Sequence, residues 1–166
     1  LMLYVIIIYG LKCKYLYKLK ENHFYMVTID FYKDDFYDEV KQILQEAKLY
    51  DETWEARENL KRKIERDPQS ILIAVDENKI IGCVFIVEDG WNGFIWRLCV
   101  KKSHRKNGIG SMLMQKAEAI IKERGIKEAS LFVDTKNNSL QNWYQKQDYI
   151  KASDWTFMYK KLDGRK

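Results

Sequence analysis

The chain has 166 residues, 46% of them apolar and 32% charged. That fits one domain burying about 70% of its unfolded surface, and it excludes a disordered chain. The net charge of +5 is unevenly placed: residues 1–25 hold four lysines against Glu21 alone, and the rest carries 25 basic against 23 acidic residues. Charge therefore gives little ground for a nucleic-acid partner.

Residues 1–9 are an apolar run closed by Gly10. The run is short of the roughly 20 residues that span a bilayer. It also lacks the flanking charge and cleavage site of a secretory signal. "KCKYLYKLK" then alternates lysine with apolar residues, a strand-like period. Residues 1–25 read in three ways: an added element packing on the domain or a partner subunit, a membrane-surface anchor, or an extension ahead of a domain over 26–166. The last is preferred, because Met26 opens a complete alternation of elements.

"MVTIDFY" predicts a strand. Asp34 or Asp35 can cap a following helix with Phe36, Val40, Ile43, Leu44 and Ala47 on one face. A second helix is expected from about Thr53 to Arg66, with Trp54, Leu60 and Ile64 as its stripe and Pro68 beyond its end. "SILIAV" and "KIIGCVFIV" form a hairpin through "DENK". A turn-rich break, "EDGWNG", leads into the strand "FIWRLCV". A long helix follows from about Gly108 to Arg124, with Gly125 at its C-cap. "EASLFVDT" reads as a strand, "NSLQNWYQKQ" as a short helix and "DWTFMYKKL" as a closing strand. The order is β-α-α-β-β-β-α-β-α-β, an α/β (α+β) domain whose mixed, mostly antiparallel twisted sheet is flanked by helices and turns parallel after the long helix.

The three cysteines, Cys13, Cys83 and Cys99, are an odd set without metal-ligand spacing. They argue for a reducing, cytoplasmic compartment, no disulfide framework and no metal. Cys83 and Cys99 sit in apolar runs and are expected in the core. His23 and His104 read as surface residues without a third partner for a triad.

The chemistry concentrates in "HRKNGIGSML", residues 104–113. Two glycines lie where a strand yields to a helix. The first N–H groups of a helix have no internal acceptor, and the helix dipole adds partial positive charge. Glycines keep side chains off those amides, and Arg105 and Lys106 add full charges, which makes a pyrophosphate cradle in chemical terms. The spacing fits neither G-x-G-x-x-G nor a G-K-S/T loop.

"RKNGIG", 105–110, resembles the acetyl-CoA pyrophosphate loop, R-x-x-G-x-G, of the GNAT superfamily of N-acetyltransferases. "NNSLQNWYQKQDY", 137–149, is similar to that family's N-x-x-A-x-x-L-Y-x-x-x-G-F/Y, with Asn137, Leu140, Trp143 and Tyr144 at the matching positions. The resemblance runs over about residues 26–162. It implies a GNAT-like fold and transfer of an acetyl group from acetyl-CoA to a primary amine by direct attack. Leu98, Cys99 and Val100 would offer backbone groups to the pantetheine arm and thioester. Arg105, Lys106, Asn107, Gly108, Ile109, Gly110 and Ser111 would hold the pyrophosphate. Asn137 would touch the cofactor arm, and Tyr144 would donate a proton to the departing thiolate. The acceptor would be an amine-bearing small molecule, a protein N-terminus or a lysine, with neither nucleic acid nor membrane expected and a homodimer as a candidate assembly.

The chain departs from that pattern at three places. Lys106 stands where a glycine is usual after the arginine, and Asp148 where one is usual before the final aromatic. The strand "FIWRLCV" lacks the glutamate that many relatives use as general base, and Phe94 occupies about its place. Glu88 and Asp89 are the nearest acids, and each either acts as base, directly or through water, or caps the 88–93 turn. Arg97 on that strand faces the substrate cleft or reaches outward. Trp91 is a candidate to line the acceptor pocket. Tyr144 reads as the acid or as a core residue. A CoA-binding module without catalysis and a basic nucleic-acid-binding protein are the rival classes.

Overall fold

A computed structural model describes residues 5–9, 12–18, 24–154 and 156–160, with side chains described from Val27 on. The chain divides into two compact units, Leu1–Leu131 and Phe132–Lys166, and each is taken by itself.

The first unit holds one seven-stranded sheet in sequence order: β1 (Val5–Tyr9), β2 (Lys12–Lys18), β3 (Phe24–Phe31), β4 (Ile71–Asp76), β5 (Lys79–Glu88), β6 (Gly93–Val100) and β7 (Ala129–Ser130). Every pairing is antiparallel except β6 with β7, as expected for a sheet that turns parallel after the long helix. β1 and β2 lie in the segment read as an extension, and β2 has the alternating lysine pattern of a strand. The β4–β5 hairpin closes through Glu77 (φ 45°) and Asn78 (φ 63°), two left-handed residues, so its turn twist matches the strands.

Helices cover both faces. α1 (Tyr37–Glu46) buries Tyr37, Val40, Ile43 and Leu44 against one face, where they join Leu60, Ile71, Ile73, Ile80, Cys83, Phe85 and Cys99 in one cluster. The expected aspartate cap is absent. A 3-10 turn, Asp34–Phe36, precedes α1, and the Asp34 carboxylate pairs with the Arg57 guanidinium at 3.0 Å instead. The expected second helix is two: α2 (Glu52–Glu55) and α3 (Arg57–Arg66). Extended backbone at Ala56 (ψ 148°) breaks them apart and shifts their phase, so Leu60 is buried while Trp54 faces solvent.

α4 (Ile109–Glu123) covers the opposite face with seven buried side chains. It lies so close to β6 that a Cβ on Gly93 would meet Ile121 at 2.6 Å. It ends in a Schellman motif, with Gly125 at φ 81°, Gly125 N–H donating to Lys122 O and Ile126 N–H to Ile121 O.

The expected strand over 128–135 is only the two residues of β7. Its pairing ends at Phe94↔Ser130, three residues before an irregularity in β6. The second unit contains α5 (Asn138–Gln145). The closing strand over 154–162 is not found among the described residues: 156–160 form no ladder, and Phe157 instead meets Phe132 ring to ring at 4.6 Å.

Candidate active site

β6 positions the first part of the site. It pairs with β5 along its whole length on one side but with β7 only at Gly93 and Phe94 on the other. Among the described residues, the second edge of Leu98, Cys99 and Val100 therefore has no strand partner. An open edge of N–H and C=O groups can pair with an extended, amide-bearing ligand. Arg97 adopts φ 54° in mid-strand, and the β5–β6 register shifts beside it. Cys99 is buried beside Cys83, with their Sγ atoms 3.4 Å apart and both thiols free.

After Val100 the chain makes a 3-10 turn, Lys102–His104, and then the glycine loop. Arg105 folds back, its Nε donating to Val100 O at 2.9 Å, so the loop is latched to the end of β6. Lys106 sits at φ 66° and Gly108 at φ 78°, both left-handed. The first helical bond is Met112 N–H to Gly108 O, and no side chain caps α4. Consequently the N–H groups of Lys106, Asn107, Gly108, Ile109, Gly110 and Ser111 find no acceptor among the described residues. Left-handed and right-handed residues in succession, together with a helix N-terminus, make an anion-binding concavity. A cavity of about 430 Å³ adjoins it, lined by Ile43, Glu46, Val100, Lys101, Lys102 and Arg105. The two lysines there escaped sequence reasoning, because nothing in their spacing marks them. His104 has partners after all, Ser103 Oγ at 2.8 Å and Asp76 at 3.8 Å.

The second unit holds the other two predicted residues, both on α5. Asn137 is its N-cap, with Oδ1 accepting from Leu140 N–H at 3.0 Å. Tyr144 lies near its far end, about 10 Å along the axis at 1.5 Å per residue. Its ring is buried edge-on to Trp143 and Tyr149, at 4.8 and 5.6 Å. Its hydroxyl makes no hydrogen bond with any described residue. Burial pushes the phenol up to about 12, so it stays protonated at neutral pH. Asp148 takes φ 65°, the left-handed conformation that the missing glycine would have supplied.

Glu88 sits at the other end of β6 from the glycine loop, opposite Gly93. Its carboxylate accepts from Gly90 N–H at 2.7 Å and from Arg124 at 3.3 Å. Asp89 Oδ1 accepts from Trp91 and Asn92 N–H, both at 2.9 Å. Trp91 stands fully in solvent. A buried carboxylate that the sequence did not mark, Glu55, meets Arg97 at 2.8 Å. Among the described residues, no group of three or more His, Cys, Asp or Glu could hold a metal ion. No helix among them is long and apolar enough to cross a membrane.

Among the described residues a mixed sheet leaves one strand open at its edge and leads into a loop whose amides have no acceptor; the family and relatives that this chain matches make it an acyltransferase. The chain belongs to the acetyltransferase (GNAT) family, whose model matches residues 29–149. It is 27% identical over 132 residues to an acetyltransferase of Yersinia pestis, covering 80% of this chain and 92% of that one. An acetyltransferase of Sodalis glossinidius is 24% identical over 136 residues, 82% of this chain and 96% of its own. The fold is similar to that of the PaiA N-acetyltransferase of Thermoplasma acidophilum, solved in complex with coenzyme A. The TM-score is 0.67 at 23% identity, over 78% of this chain and 92% of that one.

Proposed function

We propose that this acetyltransferase moves the acetyl group of acetyl-CoA onto a primary amine by direct attack. The observation that carries the reading is the run of N–H groups at 106–111, leading into α4, that have no acceptor among the described residues. A pyrophosphate answers such donors, and Arg105, latched to Val100, stands beside them. The edge of Leu98, Cys99 and Val100, which has no strand partner among the described residues, would take the amides of the pantetheine arm, with Val100 O already held by Arg105. The coenzyme A bound to the Thermoplasma acidophilum relative supports the same ligand here. Residues 26–166 act as one acetyltransferase domain in this reading, supported by a family match that runs across both units.

Attack of the amine nitrogen on the thioester carbon forms a C–N bond and breaks the C–S bond, releasing the thiolate; the proton that the nitrogen sheds passes to water, and water returns a proton to the acid that protonates the thiolate. Backbone N–H groups of β6 would stabilise the charge gathering on the carbonyl oxygen. Tyr144, whose protonated hydroxyl has no hydrogen-bond partner among the described residues, would supply the thiolate's proton. Asn137 uses Oδ1 as a cap and keeps its amide N–H groups for the cofactor arm. Glu88 is a turn residue in this reading, since its carboxylate already binds Gly90 and Arg124. Small-molecule amines, protein N-termini and lysines are the acceptor classes, and free buried thiols at Cys83 and Cys99 suit a reducing cytoplasm.

The test is thiol release from acetyl-CoA with a panel of amines, polyamines, aminoglycosides and peptide N-termini. Amine-dependent release supports the reading. Tight CoA binding without amine-dependent release would make the chain a CoA-binding module. Steeply salt-dependent binding to DNA, without turnover, would favour the nucleic-acid class.

A further inference from the structure

Arg97 carries two unfavourable features at once. It holds φ 54° in the middle of a strand, where a long side chain rarely sits. It also forms an ion pair with Glu55 whose side chains are only 20% and 6% exposed. A buried ion pair is usually no more stabilising than an apolar pair of the same volume. A glycine and an apolar contact would satisfy the fold more simply.

Both features act on the same stretch of backbone. Phe85 pairs with Trp96 and Cys83 with Cys99, so Val84 alone faces both Arg97 and Leu98, which is a β-bulge. The bulge reverses the alternation of β6. Gly93 faces α4 at Ile121, yet Cys99, an even number of residues later, lies in the opposite core beside Cys83. Leu98, Cys99 and Val100 are thereby turned relative to the first half of the strand.

Glu55 is itself held from three directions. Its Oε2 accepts from Asp51 N–H at 2.8 Å and its carbonyl accepts from Tyr37 OH at 3.3 Å. Its Oε1 accepts from Arg97 Nε at 2.8 Å. Asp51 also caps α2 by accepting from Thr53 N–H, so the four-residue helix acts as a bracket for this one carboxylate.

We propose that the Glu55–Arg97 ion pair is a positioning device that clamps the β6 bulge and so aims the backbone of Leu98–Val100 at the reacting thioester. The inference rests on the acetyl-CoA reading above. The clamp touches no group in the 105–111 loop, so it governs turnover and not the hold on the pyrophosphate.

The test uses Glu55→Gln, Arg97→Gln, Arg97→Lys and the double variant Glu55→Gln/Arg97→Gln in the full chain. Melting curves, CoA calorimetry, kcat and KM are measured for each, with amide hydrogen exchange across 96–100. Either single glutamine variant lowers Tm, because it leaves one charge buried alone. The double variant recovers much of that Tm. Its CoA affinity stays within about threefold of the parent, its kcat remains at least tenfold down, and exchange rises at 96–100 but not in α4. Arg97→Lys keeps a charge and retains more kcat than Arg97→Gln. A double variant with recovered Tm and parental kcat, or unchanged exchange at 96–100, overturns the proposal and leaves the pair purely structural. A parent that binds no acetyl-CoA overturns the underlying reading, and the proposal with it.

Discussion

The two turns at the ends of β6 both set glycine beside charged residues, acidic in one and basic in the other, and reach opposite results. The 88–92 turn answers its own donors: Glu88 accepts from Gly90 N–H, and Asp89 from Trp91 and Asn92 N–H. Those last two N–H groups, Asn92 foremost, hold the Asp89 carboxyl below the usual carboxylate range. The 105–111 loop has glycine and charge as well, yet its N–H groups from Lys106 to Ser111 find no acceptor among the described residues. A glycine-rich turn beside charged residues is therefore not a site by composition. Donors left without an internal acceptor are what separates a candidate ligand loop from a closed turn.

The largest effect that would test this division is expected at Tyr144. Tyr144→Phe keeps the packing against Trp143 and Tyr149 and removes the hydroxyl proposed as proton donor. The rate should fall by roughly 10²–10⁴ in steady-state kinetics, with acetyl-CoA affinity little changed. The hydroxyl has no partner among the described residues, so a melting curve should show a loss of no more than about 1 kcal/mol. Turnover within about threefold of the parent would return Tyr144 to the core.

The cradle comes next. Gly110→Val places a branched side chain beside the open amides in the first turn of α4. CoA affinity should fall by about 10²-fold in calorimetry, or about 2.8 kcal/mol at 1.4 per decade. Gly108→Val should do the same with added strain, because Gly108 sits at φ 78°. Folded variants that bind CoA like the parent would refute the phosphate loop.

The closed turn should respond in the other sense. Glu88→Gln should leave turnover within about threefold and lower Tm slightly, as its bonds to Gly90 and Arg124 weaken. A hundredfold loss of kcat at unchanged Tm would restore Glu88 as the base.

The smallest effect is a pH dependence. Tyr144 is raised from 10.0 to about 12 by burial. A group raised on folding contributes stability that is complete below its unfolded value and is lost as pH climbs through its folded value, here from about 10 to 12. The same shift keeps the donor protonated through pH 10. A pH–rate profile should show no loss from this group between pH 7 and 10, and a fall centred on 10 would mean an ordinary, solvated phenol.

Much of this was legible in the sequence, because periodicity and helix–strand junctions report local structure. The hairpin at 76–79, α4 and its Gly125 terminus, and the glycine loop all depend on neighbours in the chain. What was missed depends on partners far apart. Asp34 forgoes its cap for Arg57, 23 residues on, and α2 is broken from α3 at Ala56 with Glu55 held by Arg97. Arg97 stood out as a charge in a central strand, but nothing local named its partner 42 residues back. Residues 156–160 share in a strand pattern but form no ladder among the described residues, because a ladder needs a neighbouring edge, which no pattern supplies.

The most direct test of the account is a titration of the isotope-labelled chain with CoA, following backbone amide resonances. The N–H signals of residues 106–111 should move furthest and saturate together, while those of 90–92, already bonded within their turn, should stay in place. Saturating CoA binding that leaves 106–111 unmoved would contradict the claim that open amides make this loop the cofactor site.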